Sequence, residues 1–164
     1  MIKKILMVCS ILFFVNTIYA QNDFFVKFFT QRLDISVQED DVQRYYDSED
    51  VPELLYGSKI ISTGMAVISI FNSDFILKQG QGLLIAKDPV TGEILVYNLD
   101  SSKEGKIGVT LNKYSATEMS QGSIFAFSRI GNTLKLKLVC GDLTVIENGI
   151  TSTLYTGDCY YYKN

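Results

Sequence analysis

Thr133-Leu134-Lys135-Leu136-Lys137-Leu138-Val139 decides the fold. Leucine and lysine alternate strictly, so one side of the segment is apolar and the other charged. That is the period of a strand with one face in the core and one in water, and it is incompatible with a helix. Just downstream, Leu143–Ile146 and Ile150–Tyr155 flank Asn148-Gly149. Asn-Gly accepts the positive φ angles of a two-residue type I′ hairpin, so these segments are expected to pair. Leu134, Leu136, Leu138, Leu143, Val145, Ile150 and Leu154 are the core positions this pattern predicts.

Working towards the N-terminus, the same alternation recurs with turn chemistry every eight to twelve residues, as in a sandwich or barrel. Lys59–Ser62, Ala66–Phe71, Phe75–Lys78, Leu83–Ala86, Ile94–Asn98, Lys106–Leu111 and Ile124–Ser128 read as strands, and Cys159–Tyr162 as the last one. Turns are marked by Asn72-Ser73-Asp74, Gly80-Gln81-Gly82, residues 88–92 and Gly131-Asn132. Proline occurs only at 52 and 89, and no segment resembles a βαβ unit. The expected fold is all-β: a compact antiparallel sandwich or jelly-roll-like barrel of ten to twelve short strands. Gly141-Asp142 and Gly157-Asp158 each precede a strand, sixteen residues apart, and read as two similar turns rather than a solenoid repeat.

Residues 21–52 are a mixed lead-in. Phe24, Phe25, Phe28 and Phe29 would share one helical face, yet the aromatic content and the Leu33, Ile35, Val37 alternation favour strands. Gln38–Asp50 carries Glu39, Asp40, Asp41, Asp47, Glu49 and Asp50 and reads as an acidic surface loop. It lacks the glycine and terminal glutamate of an EF-hand loop, so no metal site is expected there.

The first twenty residues have the form of a cleavable signal peptide. Lys3 and Lys4 precede an apolar run from Ile5 to Val15, and Ile18-Tyr19-Ala20 ends in a small residue. The run is shorter than the ~20 residues that span a bilayer. Cleavage near Ala20 would deliver the chain to the periplasm or outside the cell, with no integral membrane segment left. Met7 and Val8 stand where a lipobox before Cys9 would need small residues.

The chain has 164 residues, 15 Lys+Arg, 18 Asp+Glu and no histidine. Without Lys3 and Lys4 the formal charge moves from −3 to −5. An acidic chain with no basic cluster is a poor nucleic-acid binder, because phosphate neutralisation supplies most of that affinity. The lack of histidine removes His-based triads and metal sites. Gly80-Gln81-Gly82 lacks the lysine and following helix of a phosphate cradle, and Ser73–Lys78 misses the spacing of a Ser-x-x-Lys nucleophile. No catalytic, cofactor-binding or metal-ligating residue is assigned, and a hydrolase is the weakest of the readings that remain.

Leu55-Tyr56-Gly57-Ser58-Lys59-Ile60-Ile61-Ser62-Thr63-Gly64, followed by Ala66–Ile70 and Phe75–Leu77, resembles the opening of FecR-type domains. The run from Thr133 through Gly141 to Val145, then Asn148-Gly149 and Leu154-Tyr155-Thr156-Gly157-Asp158, is similar to that family's closing strands. Gly122-Ser123-Ile124-Phe125 echoes its central Gly-Thr-x-Phe element, with serine for threonine. The likeness covers roughly residues 53–162, within one FecR-like β-domain of residues 53–164. Its motif residues are the turn glycines Gly57, Gly64, Gly141, Gly149 and Gly157. The resemblance implies an envelope-exposed module that scaffolds or passes on a signal by contact with another envelope protein. Many members carry an N-terminal cytoplasmic segment and a transmembrane helix, which this sequence does not show, so a stand-alone member is expected.

Two further expectations concern the C-terminus. Tyr155, Tyr160, Tyr161 and Tyr162 are candidate ligand contacts, and a carbohydrate- or peptidoglycan-binding module is the competing reading. Strand alternation puts Tyr160 and Tyr162 on one face and Tyr161 on the other, so some should cap the core. Cys140 and Cys159 are a candidate disulfide in an oxidising compartment. The Asn148-Gly149 hairpin pairs Val145 with Ser152 and Leu143 with Leu154. If the ladder continues, Cys140 faces Gly157 and lies diagonal to Cys159, about 7–8 Å away. A bulge at either glycine would be needed to close the bond. Two buried free thiols are the alternative.

Overall fold

In the computed structural model, the described residues are 23–38, 42–47, 50, 52–100 and 105–163. The expected signal peptide, Cys9, and the carboxylates Glu39, Asp40, Asp41 and Glu49 lie outside them.

The described residues form fifteen strands and no helix: β1 (Phe24–Phe29), β2 (Leu33–Val37), β3 (Val42–Tyr46), β4 (Ser58–Ser62), β5 (Ala66–Ile70), β6 (Ser73–Leu77), β7 (Gly82–Lys87), β8 (Ile94–Asn98), β9 (Ile107–Thr110), β10 (Ser115–Met119), β11 (Ile124–Ile130), β12 (Thr133–Cys140), β13 (Asp142–Glu147), β14 (Ile150–Tyr155) and β15 (Cys159–Tyr162). They make two antiparallel sheets packed as a sandwich rather than a closed barrel. The first sheet runs β1-β5-β6-β9-β10-β13-β14, and the second β15-β12-β11-β8-β7-β4-β2-β3.

Both orders nearly follow the chain. After β4, each hairpin is laid on the sheet opposite the one before it, so the sandwich grows sideways from residue 58 to residue 162. The Gly-Asp repeat marks two corners of this path. Gly141 carries the chain from β12 to β13, and Gly157 returns it from β14 to β15, at φ +100° and +98°. Only glycine visits that region at no steric cost. A Cβ on Gly141 would also stand 2.6 Å from Ser123 Oγ. Gly64, at the β4–β5 corner, is a case of close approach instead, with a Cβ position 2.7 Å from Thr30 Oγ1.

The Asn148-Gly149 turn has φ angles of 50° and 80°, and the β13–β14 register pairs Val145 with Ser152 and Leu143 with Leu154 as the hairpin arithmetic requires. A second turn of positive φ joins β5 to β6 at Phe71-Asn72 rather than at Asn72-Ser73-Asp74. Phe71 takes φ 48° as the first of the two central residues of this hairpin turn, and its ring is buried under the Arg129 guanidinium.

Leu134, Leu136, Leu138, Leu143 and Val145 are buried in the core, and Leu154 packs against it. Ile150 does not: it is 71% exposed. It shares the inward side of β14 but sits at the hairpin tip of an edge strand, with a neighbouring strand on one side only. Phe75 and Phe127 meet edge to face across the sandwich at 5.8 Å, joining the two sheets at the centre.

Candidate functional site: exposed sheet faces and edges

The tyrosines come first. Tyr162 is 5% exposed, and its hydroxyl lies 2.7 Å from Ser73 Oγ, a contact from the second sheet to the first. Tyr160 stacks on it at 5.8 Å and packs against the core. Burial pushes the Tyr162 pKa up to about 12. The Ser73 hydrogen bond works against the rise and the neighbouring Tyr160 adds to it. Burial likewise raises the Tyr160 pKa. Tyr161 faces outward from the second sheet, opposite Lys135, while Tyr155 is exposed on β14 of the first sheet. The four rings therefore divide between core and two separate surfaces and form no common platform.

The cysteines are not brought together either, and both are free. The ladder does not continue past Asp142–Tyr155, because the chain changes sheet at Gly141 and returns at Gly157. β15 then lies along β12 with Cys159 opposite Lys137, three residues short of Cys140. Three residues of strand span ~10 Å, beyond the reach of a disulfide. Alkylating the unreduced, unfolded protein should label both Cys140 and Cys159 at the peptide level. Recovery of a Cys140–Cys159 cross-linked peptide instead would overturn that register.

At the β8–β9 corner, buried polar groups form a closed network. Gln81 donates to Asp100 at 2.8 Å and to the Lys106 carbonyl at 3.0 Å, and accepts from the Lys78 N–H at 2.9 Å. Asn98 donates to the carbonyls of Gly105 and Met119, each at 2.8 Å. The Lys78 bond closes the Gln81 turn on itself, while the bonds to Asp100, Lys106 and Met119 join separate segments of the chain. No group of three His, Cys, Asp or Glu side chains fit to hold a metal occurs among the described residues.

What the strands expose is the outer face of the first sheet. The registers align Phe25, Ser69, Asp74, Thr110, Ala116, Ile146 and Thr151 in one row. A parallel row carries Phe28, Val67, Ile76, Gly108 and Glu118. Phe25, Phe28, Ile76 and Ile146 are 39%, 46%, 37% and 49% exposed. Gly108 contributes no side chain, leaving a depression of about 400 Å³ between Ile76, Ala116, Glu118, Thr144 and Ile146. Two ion pairs lie on this face, Lys27–Asp74 at 2.6 Å and Lys106–Glu118 at 3.1 Å, and Asp142 is exposed at its margin. The outer face of the second sheet carries Lys59, Lys135 and Lys137 around half-buried Leu84, Leu95, Tyr97 and Ile124.

Sequence reasoning pointed to tyrosines and turn glycines and missed this face. Its signal lies in outward positions such as Ile76, Ala116 and Ile146, where a strand facing water ordinarily carries charge. No helix of the described residues is long and apolar enough to cross a membrane. Comparison of the chain with protein-family models, with curated proteins and with solved structures finds no match.

Proposed function

We propose that this chain is an exported, stand-alone FecR-type β-module that works without catalysis, by binding another envelope protein in the periplasm or outside the cell. The observation that carries this reading is the outer face of the first sheet. An exposed apolar surface spread over several strands, with two ion pairs holding most of its charges, suits contact with a protein surface. A glycan-binding site would instead gather exposed aromatic rings beside hydrogen-bonding groups, and the tyrosines are not so gathered. The turn glycines of the FecR-like pattern then serve the turns and corners between its strands.

The test is site-specific photo-crosslinking in the native envelope. A photoreactive residue at Ile146 should yield an adduct with one discrete protein, identified by mass spectrometry. The same residue at Ser128, on the other sheet, should not. Ile76→Lys combined with Ile146 photolabelling should abolish the adduct while stability changes by about 0.5 kcal/mol or less, as surface substitutions ordinarily do. Equal labelling from both faces, or glycan-array binding with no protein adduct, would defeat the proposal.

A further inference from the structure

Four strands form the edges of the two sheets, and three are protected against edge-to-edge pairing. β1 carries Lys27 at a bulge between Val26 and Phe28. β3 has Arg44 at its centre. β15 is only four residues long. β14, Ile150-Thr151-Ser152-Thr153-Leu154-Tyr155, has six residues with no charge, proline or bulge, and five of them are exposed. Proteins ordinarily guard such an edge, because its free N–H and C=O groups template the addition of another strand.

The hairpin sets which groups are free. In a two-residue turn the flanking pair, Glu147 and Ile150, exchange both main-chain bonds, and the phase repeats every second residue. Ile150, Ser152 and Leu154 therefore point their main-chain groups at β13, and Thr151, Thr153 and Tyr155 point theirs outward. Tyr155 is already closed off. Its N–H donates to Asp158 Oδ2 at 2.9 Å, and its carbonyl accepts from the Asp158 N–H at 2.9 Å. Among the described residues, two donors and two acceptors are left without a partner, on Thr151 and Thr153.

We propose that β14 pairs antiparallel with β14 of a second copy of this chain, about a two-fold axis through Ser152, joining the two first sheets into one. The counting selects this register, and in it the edge is matched to its own copy. With Ser152 opposite its own equivalent, Thr151 faces Thr153 of the other copy and the reverse, so all four free groups on each side are used. Centring on Thr153 would instead direct Thr151 at a Tyr155 whose groups Asp158 holds. The axis also keeps the faces of the sheet matched. Ile150, unpacked in the single chain, comes opposite Leu154 of the second copy on the inward side. The edge is distinct from the Ile76–Ile146 depression, so loss of self-association leaves the heterologous contact measurable.

The experiment uses protein purified from cells that export the full chain. Sedimentation should show a concentration-dependent dimer. Thr153→Pro removes an N–H that β13 does not use, and Ile150→Lys places charge on a side chain the monomer leaves exposed. Each should sediment as a monomer at concentrations where the unsubstituted chain is mostly dimer, with circular dichroism and unfolding midpoint retained. In a Cys140→Ser, Cys159→Ser background, Ser152→Cys should form an intermolecular disulfide faster than Thr151→Cys or Thr153→Cys, since only residue 152 meets itself. A chain that stays monomeric at all concentrations would overturn the proposal. So would a dimer that survives both substitutions, or equal cross-linking at the three positions.

Discussion

Leu136→Ala should destabilise the folded chain by about 2–5 kcal/mol, the range for deleting a buried leucine side chain. Leu136 is fully buried on β12, between Phe127 of β11 and Tyr160 of β15. Both neighbours are held by aromatic contacts of their own, so the cavity has little room to collapse. The substitution removes dispersion contacts as well as transfer energy. Lys135, one residue away, faces outward and pairs with Glu93 at 3.0 Å with 22% and 15% of the two side chains exposed. Lys135→Ala should cost about 1 kcal/mol or less, because the pair is partly solvated and Glu93 keeps a contact with Ser128. Denaturant midpoints at constant slope give both numbers. Comparable losses from the two substitutions would mean that the strand faces the other way.

The stability of the chain should also fall between pH 10 and pH 12 in a way that depends on Tyr162. Its pKa is raised to about 12 in the folded state, chiefly by burial, whereas the unfolded chain has the ordinary value of 10.0. Above pH 10 the unfolded state releases the proton first and is favoured by it. The contribution of Tyr162 is thus full below pH 10 and is lost as pH rises towards 12. Two pKa units correspond to about 2–3 kcal/mol. The chain has ten tyrosines, so the measurement is a difference between unsubstituted protein and Tyr162→Phe. Ser73 retains the Leu111 carbonyl, 3.3 Å away, as a partner in that variant. The gap between the two stability curves should narrow, and then reverse or vanish, across this window. Parallel curves from pH 8 to pH 12 would show that the phenol is not buried as described.

Strands whose side chains divide cleanly between oil and water were legible in the sequence. β12 and the β13–β14 hairpin, with its turn and register, are where leucine or valine alternates with polar residues and Asn-Gly supplies the left-handed φ. Two strands were hidden for opposite reasons. β10 turns Ser115, Thr117 and Met119 inward, so polar side chains occupy two of its three core positions. They are satisfied there by the Asn112 side chain at 2.9 Å and the Thr144 carbonyl at 2.7 Å. β3, within the expected acidic loop, is an edge strand with almost nothing buried, held by main-chain pairing to β2. Neither leaves a hydrophobic period to read.

By itself, then, the sequence determined the all-β class, the hairpin register around Asn148-Gly149 and most of the core of the last strands, because these follow from local periodicity and turn chemistry. Which sheet each strand joins was decided by tertiary structure alone. Corners such as Gly141 and Gly157 send successive hairpins to opposite sheets, and nothing in a strand's own pattern records its distant neighbours. That choice separates Cys140 from Cys159, buries Tyr162 while exposing Tyr155, strands Ile150 at a free edge and lines up Ile76 with Ile146. Period-2 alternation says that a residue lies on one of two faces. Only packing says which face meets the other sheet, and which edge is left without a neighbour.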